Sequence, residues 1–300
     1  MALDRTDPLH ATAAEFSRRG FVRLGSGAAF AIANGAAATA RTEGFGKPHP
    51  PIVAEDDPAI VVTRPRLQPA AGSPIGAYAA TPHTLTRRTP GVVVVQAIWG
   101  VDAQLRDVVR RYAKSGYVAI APALFDRLNP PSGDGSTDYA LFAPLAAQMN
   151  AQGFVPSDIV AAHDWLGTHG TAGSIGVTGF CMGGGLALQS IIGSNAFAAA
   201  SIFYANVRPG TNPSDPTTPS TFDFTSRITT PLLGSFGARD TSIKAEDVQA
   251  MFTRLRPPHA VKIYDEAGHA FFDDTRQSYV PSAAADSWTR TLAWFGRYLT

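Results

Sequence analysis

From residue 59 onward, short β-like apolar runs alternate with runs whose apolar positions recur three and four residues apart. AIVVTR (59–64) and PIGAYAA (74–80) read as an opening hairpin. GVVVVQAI (91–98) is a β-branched run, the mark of a strand buried on both faces. In VDAQLRDVVRRYAKSG, Leu105, Val108, Val109 and Tyr112 fall at i, i+3, i+4 and i+7, which predicts a helix ending at Gly116. Strand YVAIAPA (117–123) and a Pro/Gly/Ser loop follow, then helices over 139–151 and 157–168, the second with Ser157 as N-cap. Strand SIGVTGF, helix MGGGLALQSII and strand AFAAASIFYA (196–205) come next. The series ends with strand PLLGSFG (231–237), a helix over 243–255, strand VKIYDEA (261–267) and a helix over 283–298. This alternation predicts one α/β domain over 59–300, built on a mostly parallel sheet with helices on both faces.

Two segments break the pattern. Residues 41–58, with the acidic triplet Glu55-Asp56-Asp57, are polar and proline-rich and read as a linker or extended arm. Consecutive acidic side chains do not converge on a cation without further ligands, so the triplet reads as a solvated loop. Residues 206–228 form a long Pro/Thr/Ser insertion after a strand, the type of segment that can serve as a flap over a site.

The first forty residues differ again. SRRGFVR (17–23) precedes an alanine- and glycine-rich apolar run and the small-residue site Ala38-Thr39-Ala40. Ser17, Arg18, Arg19, Phe21, Val22 and Arg23 fit the pattern of a bacterial twin-arginine export signal, which the segment resembles. The resemblance implies engagement of the twin-arginine export machinery, cleavage near Ala40 and a periplasmic or secreted mature chain from Arg41.

Composition narrows the function. Three hundred residues with 45% apolar content can bury a large core. A net charge of +1, with lysines and arginines scattered, provides no basic face for nucleic acid. After the N-terminus no strongly apolar stretch is long enough to span a bilayer. Cys181 is the sole cysteine, which rules out an intramolecular disulfide and a Cys-rich zinc site.

That cysteine stands in GFCMGGG (179–185), between a predicted strand and a predicted helix. Gly179, Cys181 and Gly183 make the G-x-[S/C]-x-G nucleophile elbow, in which a sharp turn lifts the nucleophile clear of the sheet. The N–H of Met182 then forms half of an oxyanion hole, and the helix N-terminus favours thiolate over thiol. The elbow calls for an acid after one later strand and a histidine after the next. Asp240 in GARD follows PLLGSFG, and His269 in GHAFF follows VKIYDEA. A glycine-rich phosphate loop would need a Lys and Ser/Thr that are missing.

With these residues in place the chain resembles the dienelactone hydrolases, α/β-hydrolases with a Cys–Asp–His triad. The resemblance rests on GFCMGGG, AGHAFF, VVVVQAIWGVD, APALFDR and SWTRTLAWFGRYL, and spans residues 60 to 300. It implies ester or lactone hydrolysis by Cys181, Asp240 and His269 without metal or organic cofactor. The implied oxyanion hole is the N–H groups of Ile98 and Met182, and Arg127 and Trp99 are candidate substrate contacts. Two departures argue against dienelactone itself as substrate. Ala97 stands where the family carries a glutamate thought to partner the resting cysteine, and Asp273 stands where it carries a second carboxylate-gripping arginine. Without that glutamate, Cys181 should rest against His269. Two other classes remain open at this level: a redox thiol protein, and a ligand-binding relative that has lost catalysis.

Overall fold

The protein is seen in a computed structural model that describes residues 50–86, 88–169, 173–208, 220–256 and 258–299. The expected export signal, the start of the arm (41–49) and residues 209–219 of the insertion lie outside the described residues.

Among the described residues, nine strands form one mixed, mostly parallel sheet. The opening hairpin is β1 (Ile60–Thr63) against β3 (Ile75–Pro82), with the short β2 (Arg66–Leu67) pairing the start of β3. β4 (Gly91–Val95), β5 (Val118–Pro122), β6 (Ile175–Phe180), β7 (Ala199–Phe203), β8 (Leu232–Gly237) and β9 (His259–Tyr264) are parallel to one another. The spatial order is β1-β3-β5-β4-β6-β7-β8-β9. Between them run α1 (Ala103–Lys114), α2 (Tyr139–Gln152), α3 (Val155–Thr168), α4 (Met182–Ser190) and α5 (Ala245–Arg254), with α6 (Pro281–Tyr298) last. Val92 to Val95, Val118 to Ala121 and Leu232 are wholly buried, which is why those strands read as unbroken apolar runs.

The order positions the site. After β4 the chain steps outward to β5, then returns past β4 to β6, so the winding direction reverses beside β4. In open α/β sheets the crevice at the carboxyl ends of such strands is where ligands bind. The turn after β4 and the turn after β6 face each other there.

One expectation is corrected. α3 opens at Val155, two residues early, because Pro156 in its first turn lacks an N–H and is preset for helix. Ser157 is therefore inside the helix, and its hydroxyl accepts the Ala71 N–H at 2.9 Å. The described end of the arm is held against the domain. Asp107 on α1 accepts the N–H groups of Ile52 and Val53, each at 2.8 Å, and Val53 is buried. Glu55 pairs with Arg64, and Asp57 with Lys114.

Candidate active site

Cys181 caps α4 with φ 55° and ψ −117°, a conformation that costs a side-chain-bearing residue energy. Close packing on both sides enforces it. A Cβ at Gly179 would stand 2.1 Å from the Gly183 carbonyl oxygen, and one at Gly183 would stand 2.3 Å from that of Val95. Backbone must pass over backbone here, so glycine is required at both positions. Among the described residues, the other non-glycine positive-φ positions are Asn129, Tyr204 and Ala270. Ala270 follows His269, and the Tyr204 ring lies 5.1 Å from the His269 ring. Strain therefore gathers around one place, as it does at functional sites.

His269 and Asp240 arrive from the ends of β9 and β8. His269 Nε2 lies 3.1 Å from Cys181 Sγ, and Nδ1 lies 2.7 Å from Asp240 Oδ2. The other oxygen of Asp240 accepts the N–H groups of Ser242 (2.8 Å) and Ile243 (3.1 Å), which fixes the carboxylate's orientation. The Asp240 side chain is fully buried, while that of His269 is about a third exposed. Burial opposes the imidazolium, but the hydrogen bonds to Asp240 and Cys181 and their charges outweigh it, and His269 is raised to about 10.

Met182 is the first residue of α4, where N–H groups lack intrahelical partners. Ile98 lies in the turn after β4, closed by a Gly100 N–H to Ala97 carbonyl bond of 3.2 Å. Gly183 presses on the carbonyls of Val95 and Gln96, so this turn is packed directly against the elbow. Gln96 is wholly buried and its side-chain oxygen accepts the Leu124 N–H at 3.0 Å, while Ala97 on the adjacent position is half-buried.

Trp99 lies one residue beyond Ile98. Its ring meets the edge of Phe142 at 5.4 Å and is covered by the Arg276 guanidinium at 4.2 Å. It also lines a cavity of about 200 Å³ together with Gln96, Phe125 and the Pro130–Asp134 loop. Arg127 does not fit its expected role. Both its terminal nitrogens bond Asp158 at 2.8 Å, Nε and Nη2 bond the Ser73 carbonyl, and the side chain is 9% exposed. Its donors are committed inside the protein, which leaves no free fork for a substrate carboxylate.

Asp273, noted as a departure, is buried and accepts from the N–H and hydroxyl of Thr275 and from Arg276. Its neighbour in space is Asp102, the N-cap of α1, which burial and then the Asp273 charge raise to about 7. Sequence reasoning missed Tyr204, Asp102 and Arg276. Burial, followed by the charges of Asp273 and Cys181, holds Tyr204 well above its usual value, so it stays a phenol. No sequence signal marked Tyr204, but Arg276 stands seven residues after His269 and could have been weighed.

Comparison with known proteins gives this geometry a family. The family model "Dienelactone hydrolase family" matches residues 75–299. A provisionally assigned carboxymethylenebutenolidase of Salmonella typhimurium is 35% identical over 234 residues, 77% of this chain and 85% of that one. Its Escherichia coli K12 counterpart is 34% identical over 269 residues, 87% of this chain and 97% of that one. The crystal structure of a provisionally assigned dienelactone hydrolase from Klebsiella pneumoniae superposes with a TM-score of 0.71 at 33% identity, covering 80% of this chain and all of the other. On this match and these relatives, the chain belongs to the dienelactone hydrolase family and is an ester or lactone hydrolase.

Proposed function

We propose that the protein hydrolyses a carboxylic ester or lactone through a thioester on Cys181. The observation that carries this is the unbroken chain Asp240–His269–Cys181, with contacts of 2.7 and 3.1 Å, standing at the N-terminus of α4. Sγ attacks the carbonyl carbon, and the electron pair of the C=O moves to oxygen, where the N–H groups of Met182 and Ile98 receive it. The C–O bond then breaks, the imidazolium of His269 gives its proton to the departing alkoxide, and an acyl-thioester remains. Neutral His269 next takes a proton from water, whose oxygen attacks the thioester. The carboxylic acid leaves, and the sulfur and imidazolium are restored. Asp240 keeps Nδ1 protonated and Nε2 facing the sulfur throughout. The half-buried Ala97 places no carboxylate beside the thiol, consistent with a cysteine that rests on His269 and accepts plain esters.

The test is turnover of p-nitrophenyl acetate by the chain from Arg41, with mass spectrometry of quenched enzyme. A rapid acetyl adduct on Cys181 and complete loss of turnover in Cys181→Ala are expected. Undiminished turnover in that variant would end the proposal. On the basis of SRRGFVR we further propose that the protein is exported by the twin-arginine route and works in the periplasm or outside the cell.

A further inference from the structure

Arg276 touches four other residues with one side chain. Its guanidinium covers the Trp99 ring at 4.2 Å. Nε donates to Asp273 at 3.3 Å, on the same turn that carries His269. Nη1 donates to the Ser136 carbonyl in the loop before α2. Nη2 lies 3.9 Å from Asp102, which caps α1 by accepting the Leu105 N–H. The side chain is only 13% exposed, so this arginine has given up most of its water.

Trp99 is held from the other sides as well. Phe142 meets it edge-on, and Gly133 packs so closely that a Cβ there would fall 1.9 Å from the Trp99 carbonyl oxygen. The ring and the carbonyl are thus both immobilised, and the residue before them is Ile98. An oxyanion donor works only if its N–H already points at the place where charge develops. Fixing Trp99 fixes the turn that carries the Ile98 N–H.

We propose that Arg276 is a positioning residue that clamps Trp99 and thereby aligns the Ile98 N–H for the oxyanion. The inference rests on the hydrolase reading above. It assigns no substrate contact to Arg276, whose nitrogens face Asp273, Ser136 and Asp102. Lysine cannot replace it, because one ammonium cannot serve the ring, the carboxylate and the carbonyl together.

Two reactions of the same sulfur separate this role from general support of the fold. Attack on p-nitrophenyl acetate creates an oxyanion. Alkylation by iodoacetamide displaces iodide from an sp³ carbon and creates none. Arg276→Ala should lower kcat for the ester by roughly tenfold to a hundredfold, with KM little changed, as loss of oxyanion alignment does. Its alkylation rate should match the wild type, and Arg276→Lys should not restore kcat. Trp99→Leu, which removes the clamped ring and leaves Arg276 in place, should likewise lose kcat for the ester and keep its alkylation rate. Equal losses in both reactions, or no loss in either, would overturn the inference in either variant. A wild-type enzyme that is alkylated but turns over no ester would instead defeat the hydrolase reading and take this inference with it.

Discussion

Gly183 and Gly185 lie two residues apart in α4 and make opposite demands. A Cβ on Gly183 would stand 2.3 Å from the Val95 oxygen and 2.4 Å from the Gln96 oxygen, where ordinary contact begins at 3.4 Å. Both obstacles are backbone, so Gly183→Ala must drive the elbow and the turn after β4 apart by about 1 Å. Overpacking of that kind costs about 1–3 kcal/mol. A misplacement of about 1 Å at reacting groups costs on the order of a hundredfold in rate. A Cβ on Gly185 meets nothing within 4 Å, so Gly185→Ala should stabilise the helix by up to about 1 kcal/mol. Calorimetry should show Tm falling in the first variant and rising in the second, by roughly 2–4 °C per kcal/mol. Ester turnover should collapse in Gly183→Ala and persist in Gly185→Ala. Wild-type turnover in Gly183→Ala, or matching losses in the two variants, would refute the account of the elbow.

Other expectations follow from charge. Asp102 is raised to about 7, against about 3.9 in an unfolded chain, so folding takes up a proton. The stability this contributes is complete below about pH 4 and lost as pH rises through 7. Asp102→Asn keeps the cap and should flatten urea-melt stability between about pH 4 and 7, where the wild type declines; equal slopes would contradict this. Because His269 Nε2 lies 3.1 Å from Sγ, alkylation of Cys181 should be fast near pH 7, and Ala97→Glu should slow it by placing a like charge beside the sulfur. No change in Ala97→Glu would count against that reading. Arg18→Lys/Arg19→Lys should retain an unprocessed chain in the cytoplasm, and normal processing of the double variant would exclude the twin-arginine route.

What could be read from the residues was local or followed from simple topology. Apolar periodicity placed the parallel strands, since a strand buried on both faces must be apolar throughout. The glycines around Cys181 announced an elbow because only glycine lets backbone cross backbone at that range. Asp240 and His269 were legible because each stands just past a strand, and parallel strands deliver their ends to one edge. The partners of long polar side chains were not legible. Arg127 looks from its motif like a free anchor, yet Asp158 and Ser73 occupy it. Ser157 was read as a cap, but Pro156 starts the helix earlier. The segment before β1 reads as a linker or extended arm, and only the fold shows Asp107 holding Ile52 and Val53. Arg276 gives no sign in sequence that it will cover Trp99. The order of elements, and the standing of Cys181, Asp240 and His269 just past strand ends, could be read from residues alone, because both depend on neighbours along the chain. The tertiary structure decided which guanidinium meets which carboxylate, because an arginine's reach admits many partners and only the packed fold selects among them.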